Sequence, residues 1–209
     1  MTLRTLLAIA VLGIAPLSLS AQTTAPSTRP AFEPTPASLD ELRSIERDVG
    51  TVLEKVMPSV VGVQVGGSQG SGVIVSRDGF VLTAGHVSGP AGQQCTIILE
   101  GGRRVRGITL GRNSSIDSGM IRITDPGDYP AAEMGISVAL VPGQWVIALG
   151  HPGGYRPGRP PVVRLGRVLD TQDSLIITDN TLVGGDSGGP PVGLDGKAGG
   201  IPNRVGLLR

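Results

Sequence analysis

Gly185-Asp186-Ser187-Gly188-Gly189-Pro190 is the stretch that decides how this chain is read. A serine between glycines, on a tight turn, presents its hydroxyl clear of the backbone. The glycines permit conformations and close approaches that a Cβ forbids. They also leave the N–H groups beside the serine free to point at a developing oxyanion. A hydroxyl at its ordinary pKa is a weak nucleophile, so Ser187 requires a base and a group that orients the base.

The chain offers two histidines as bases. His86 ends a predicted strand in Leu82-Thr83-Ala84-Gly85-His86-Val87. His151 lies in a loop, Gly150-His151-Pro152-Gly153-Gly154, and is assigned no catalytic role. Gly185-x-Ser187-x-Gly189 also fits the nucleophile elbow of the α/β-hydrolases. That fold carries its histidine after its serine and alternates strands with helices. No histidine follows Ser187, and the alternation is missing, so the elbow is excluded.

Outward from these residues the chain reads as all-β. Hydrophobic residues make up 39% and aromatics only 2%, so the core must be built from Val, Ile and Leu. The 33 glycines and 17 prolines punctuate short β-branched runs, which is the pattern of many turns between strands. Strands are predicted over Val60–Val65, Val73–Val75, Phe80–Thr83, Thr96–Glu100, Arg104–Leu110 and Met120–Thr124, with Gly66–Gly72 as a glycine-rich turn and Asp78-Gly79 as a hairpin signal. About six short strands at hairpin spacing suit a small barrel. A second set is predicted over Trp145–Leu149, Val162–Thr171, Leu175–Thr178, Pro191–Val192 and Ala198–Ile201. Before the first strand, Ser38 and Glu41 have capping-box spacing. Leu39, Leu42, Ile45, Val49, Val52, Leu53 and Val56 follow at helical spacing until Pro58 ends the pattern.

The remaining features bound the function. A net charge of +1 gives no reason to expect a nucleic-acid partner, and Arg103, Arg104 and Arg106 read as a solvated strand face. The single cysteine, Cys95, permits no intrachain disulfide and is expected to be buried, with no metal site around it. Gly67-Ser68-Gln69-Gly70-Ser71-Gly72 lacks the ending of a phosphate-binding loop and precedes a strand, so no nucleotide cofactor is expected. Residues 1–21 read as an export leader, with Arg4, an apolar stretch and small residues at Ser18–Ala21. A membrane anchor formed by an uncleaved leader is the alternative. Residues 22–37 have linker composition, 38–57 form the helix, and 58–209 form the main domain.

Thr83-Ala84-Gly85-His86-Val87 resembles the histidine motif of the chymotrypsin-type serine proteases, and Gly185–Pro190 resembles their serine motif. Leu53–Val61, Gly70–Val75 and Asp78–Thr83 are similar to the HtrA/Deg-like branch of that family. The resemblance spans Leu53 to Ile201. It implies a two-barrel chymotrypsin-like fold, with the first barrel at about 58–126 and the second at about 127–209. It implies His86, Asp117 and Ser187 as catalytic residues, with Gly185 and Ser187 N–H groups as the oxyanion hole. Asp125 and Asp128 are competitors for the third place, but Pro126-Gly127 makes theirs an ordinary turn. The implied function is an exported endopeptidase acting on polypeptides in protein quality control, without metal or organic cofactor, with an oligomer possible. The alternative is a catalytically inactive, protease-like binding protein. Thr181 and Leu182 are implied to floor the primary substrate pocket, with no carboxylate there to meet a basic side chain.

Three positions depart from the family pattern. Asp186 stands where HtrA-type enzymes usually carry asparagine, and His151 likewise. Digestive-type enzymes with aspartate before the serine pair it with a new N-terminal amine, which the long leader here disfavours. Little chain follows Ile201, so the second barrel is expected to lack its closing strand and helix.

Overall fold

Ser38 opens helix α1 (Leu39–Val56), its hydroxyl accepting the Glu41 N–H at 3.1 Å. The structure is a computed structural model that describes residues 36, 38–136, 140–172 and 175–199. The expected leader, nearly all of the linker and the segment after 199 lie outside the described residues. Among the described residues, no helix is long and apolar enough to cross a membrane.

After a 3-10 turn at Met57–Ser59 come β1 (Val60–Val65), β2 (Ser68–Ile74), β3 (Phe80–Ala84), the one-turn helix α2 (Gly85–Ser88), β4 (Gln94–Ile98), β5 (Arg104–Asn113) and β6 (Ser118–Ile123). The six strands close a barrel in the order β1-β2-β3-β6-β5-β4, with β4 pairing back onto β1. Val61, Val63 and Val65 fill its interior with Ile74, Val81, Ile97, Ile121 and Ile123. Val60 and Val73 face the other way, into a second cluster with Val52 and Val56 of α1. Coverage on both faces explains why β1 reads as an apolar run rather than an alternation. Cys95 is buried in the barrel, and that burial pushes its thiol up to about 11, which leaves it inert.

The second sheet is formed by β7 (Trp145–Gly150), β8 (Val162–Gln172), β9 (Leu175–Thr178) and β10 (Pro191–Gly193), antiparallel in the order β10-β7-β8-β9. Ile147, Leu149 and Val192 join the cluster beneath α1, so the helix and β1 share a core with this sheet. Each fully buried valine there contributes about 2 kcal/mol. Lys55 of α1 and Lys197 both pair with Glu133, at 3.3 and 2.9 Å, and hold its carboxyl below the usual range. Among the described residues the second sheet does not close. Ala198 bridges to Val192 and Met134, and 200 and 201, expected to extend that return strand, lie outside them.

One expectation needs correction. The turn predicted over Gly66–Gly72 is only Gly66-Gly67, and Ser68 already begins β2. Gly70 is there for close approach, since a Cβ would stand 2.7 Å from Val87 and 2.9 Å from the Ser187 carbonyl oxygen. The apolar stripe of α1 is also covered only in part. Ile45, Val52 and Val56 are buried, whereas Leu39 and Leu42, in the first turn of the helix, are exposed.

Candidate active site

β3 delivers His86 on α2, and the β5–β6 turn delivers Asp117 opposite it. The Asp117 carboxylate accepts twice from one residue. Oδ1 takes the His86 backbone N–H at 2.8 Å, and Oδ2 takes His86 Nδ1 at 2.8 Å. Gly85 N–H donates to the Asp117 carbonyl at 2.7 Å, so three bonds fix the pair. A carboxylate only accepts, so Nδ1 carries the proton and Nε2 presents its lone pair. The imidazole is half exposed, open to an incoming group.

Ser187, on the loop before β10, is tied to the barrel through its backbone. Its carbonyl accepts the Ser71 N–H at 2.9 Å, and Ser71 lies on β2. The Ser71 carbonyl accepts the Thr83 hydroxyl at 2.7 Å, three residues before His86. The Ser71 hydroxyl donates to the Gly185 carbonyl at 2.7 Å and accepts the His151 N–H at 2.8 Å. Gly185 has φ 96°, a conformation open to glycine, and a Cβ there would strike the 151–154 backbone. Among the described residues, the N–H groups of Gly185 and Ser187 have no acceptor. Two unpaired donors, one on each side of Asp186, can stabilise an oxyanion. Also among the described residues, Ser187 Oγ makes no hydrogen bond to His86 Nε2.

A trypsin-like peptidase domain model matches residues 70–201, which contain His86, Asp117 and Ser187. This chain belongs to the trypsin-like peptidases. Its homologues are HtrA and DegP-like serine proteases. It is 32% identical to the human serine protease HTRA4 over 78% of this chain and 38% of that protein. A probable periplasmic serine endoprotease, DegP-like, from Marinomonas is 37% identical over 66% of this chain and 30% of that protein. The crystal structure of the serine endoprotease from Yersinia pestis superposes with a TM-score of 0.65 at 28% identity, over 74% of this chain and 56% of that one. The chain spans about a third of the length of the curated relatives it matches.

In this trypsin-like peptidase the competing carboxylates are engaged elsewhere. Asp125 accepts from Arg106 N–H and Nε at 2.8 and 2.7 Å, bonds that hold its carboxyl below the usual range. Asp128 pairs with Arg77 at 3.1 Å. Thr181 is exposed and Leu182 half-buried, both on the segment leading from β9 to Ser187. His151 is 3% exposed, and burial, helped by the Arg159 guanidinium and opposed by Asp186, pushes its pKa down to about 4. It lines a cavity of about 260 Å³ with Val60, Leu99, Tyr155 and Arg159, which does not include Ser187. No group of side chains suited to a metal ion occurs among the described residues. One residue packed against the Ser187 loop escaped the sequence reading: Ser71 was visible only as a serine between Gly70 and Gly72.

Proposed function

We propose that this chain is a serine endopeptidase that hydrolyses peptide bonds through an acyl-enzyme. One observation carries the reading: the Asp117 carboxylate grips both the ring and the backbone of His86 at 2.8 Å, on the barrel edge bonded to the Ser187 backbone. Ser187 Oγ attacks the carbonyl carbon while His86 Nε2 takes its proton. The carbonyl oxygen becomes an oxyanion between the N–H groups of Gly185 and Ser187, each worth about 3 kcal/mol of barrier. Collapse breaks the C–N bond, and His86 gives its proton to the leaving amine. Water, deprotonated by His86, then attacks the ester carbonyl, and as the C–O bond to Ser187 breaks His86 returns that proton to Oγ. Asp117 keeps the proton on Nδ1 and stabilises the imidazolium.

The substrates are polypeptides, and the leader-like residues 1–21 together with periplasmic relatives support action outside the cytoplasm, in protein turnover. Cleavage follows small aliphatic residues such as valine or alanine. Thr181 and Leu182 offer a basic side chain no carboxylate, so a cation drawn out of water there would lack a partner, which is costly. A peptide-library profile led by Arg and Lys would overturn that specificity.

The test of the reaction is labelling of the full chain by a biotinylated fluorophosphonate, with casein hydrolysis alongside. The Ser187→Ala variant should lose labelling and lower hydrolysis by about 10⁴-fold while keeping its melting temperature. Unchanged hydrolysis would move the nucleophile elsewhere. A second reading, a protease-like binding protein, is favoured by the lack of a bond from Ser187 Oγ to His86 Nε2 among the described residues. Such bonds often tighten only with substrate bound. Absence of labelling in the wild-type chain would select that second reading.

A further inference from the structure

Asp186, one residue before Ser187, has 2% of its surface exposed. A buried carboxylate needs partners, and this one has two. Val183 N–H donates to Oδ2 at 2.9 Å, while Asp186 N–H donates to the Val183 carbonyl at 3.1 Å. Side chain and backbone thus close the same turn reciprocally. The charge itself is met by Arg164, whose Nη1 lies 3.0 Å from Oδ2. This contact is an ion pair without the alignment of a hydrogen bond. Arg164 is anchored on β8, opposite Ala148 of β7, and the Asn180 side chain donates to its carbonyl at 2.9 Å. At the end of β7, Gly150 makes room for the carboxylate, since a Cβ there would stand 2.8 Å from Asp186 Oδ1.

We propose that Arg164 is a positioning residue for the nucleophile loop: its guanidinium holds Asp186 inward, and this turns the Gly185 and Ser187 N–H groups toward substrate. The inference rests on the reading of Ser187 as nucleophile. Asp186 lies between Gly185 and Ser187, whose N–H groups have no acceptor among the described residues. Without Arg164 the buried carboxylate loses its counter-charge, and swinging toward water to recover solvation turns the peptide planes on both sides with it. A neutral asparagine at 186 keeps the bond from Val183 and has no need of the cation. Arg164 should therefore matter through Asp186 and not independently of it.

The test compares the full-length wild-type chain with Arg164→Met, Arg164→Lys, Asp186→Asn and the double variant Asp186→Asn/Arg164→Met. Amide hydrogen exchange across 183–189 and the rate of fluorophosphonate labelling are read well below each melting temperature. Arg164→Met should speed exchange in that segment about tenfold and slow labelling about 100-fold, the scale of losing one oxyanion donor. Arg164→Lys should recover part of both. In the Asp186→Asn background, adding Arg164→Met should change either by less than about threefold. Unchanged exchange in Arg164→Met, or equal losses in the two backgrounds, would overturn the proposal. If wild type fails to label, the nucleophile reading falls alone, and exchange still decides whether Arg164 holds the loop. Should Arg164→Met not fold, the same cycle is read with Arg164→Lys, with the same direction and smaller size.

Discussion

Asp117 holds two N–H groups of His86 with one carboxylate, from a backbone at φ 47°. Few side chains tolerate that region, and aspartate is among those that do. His151 bears a different constraint. It is buried, and its pKa is pushed down to about 4, chiefly by that burial. A histidine whose folded pKa lies below the ordinary 6.5 is held in its neutral form. Its contribution is fully present above about pH 6.5 and is lost as pH falls toward 4. Replacing it with asparagine removes that titration. From pH 7 to 4.5, wild type should lose about 2 kcal/mol more unfolding free energy than His151→Asn, measured by urea denaturation. Asp78, held low first by the Ser76 side chain and then by Arg122, and Asp125 and Glu133, held low by Arg106 and by Lys197 with Lys55, are common to both proteins. Parallel stability curves would mean that His151 is not buried neutral.

The elements differ in how far the sequence disclosed them. α1 was legible because its signals are local: a capping serine, an apolar repeat and a terminating proline. The barrel strands were legible because valine and isoleucine runs are broken by turns such as Asp78-Gly79, where Gly79 has φ 95°. β2 was misjudged at its start because glycine has two uses. Gly66 serves a turn, whereas Gly70 serves close approach to Val87 and Ser187, and sequence alone does not separate them. The chemical groups His86, Asp117 and Ser187 stood out because each sits in a motif, and the structure brings His86 and Asp117 into contact. Arg164 did not stand out, because its meaning depends on Asp186, twenty-two residues later, and on the packing of β8 beside the nucleophile loop. Local chemistry is readable from neighbours in sequence, and a charge pair formed by tertiary packing is not.

At the scale of the whole molecule, the candidate site is divided between two halves, and Ser71 joins them. His86 and Asp117 belong to the closed barrel, while Ser187 belongs to the loop before β10 of the second sheet. Ser71 lies on β2 and is fully buried. Its N–H, hydroxyl and carbonyl together bond Ser187, Gly185, His151 and Thr83. These four bonds, two to the Ser187 loop, one to His151 and one to Thr83, hold that loop against the strand that leads to His86. Displacement of a reacting group by about 1 Å can cost about 100-fold in rate. Ser71→Ala leaves the backbone bonds intact but strands the Gly185 carbonyl and the His151 N–H without their hydroxyl partner. The expected stability loss is about 2 kcal/mol. Ser59 supplies the control, because it is equally buried and its hydroxyl donates to the Val56 carbonyl at 2.7 Å, away from the site. Ser59→Ala should lower the melting temperature by a similar amount and leave fluorophosphonate labelling at the wild-type rate. Ser71→Ala should slow labelling at least tenfold at a temperature where both variants are fully folded. If the two variants melt alike and label alike, the hydroxyl of Ser71 serves stability alone, and the halves are aligned by the apolar cluster of Val60, Val73, Ile147 and Leu149.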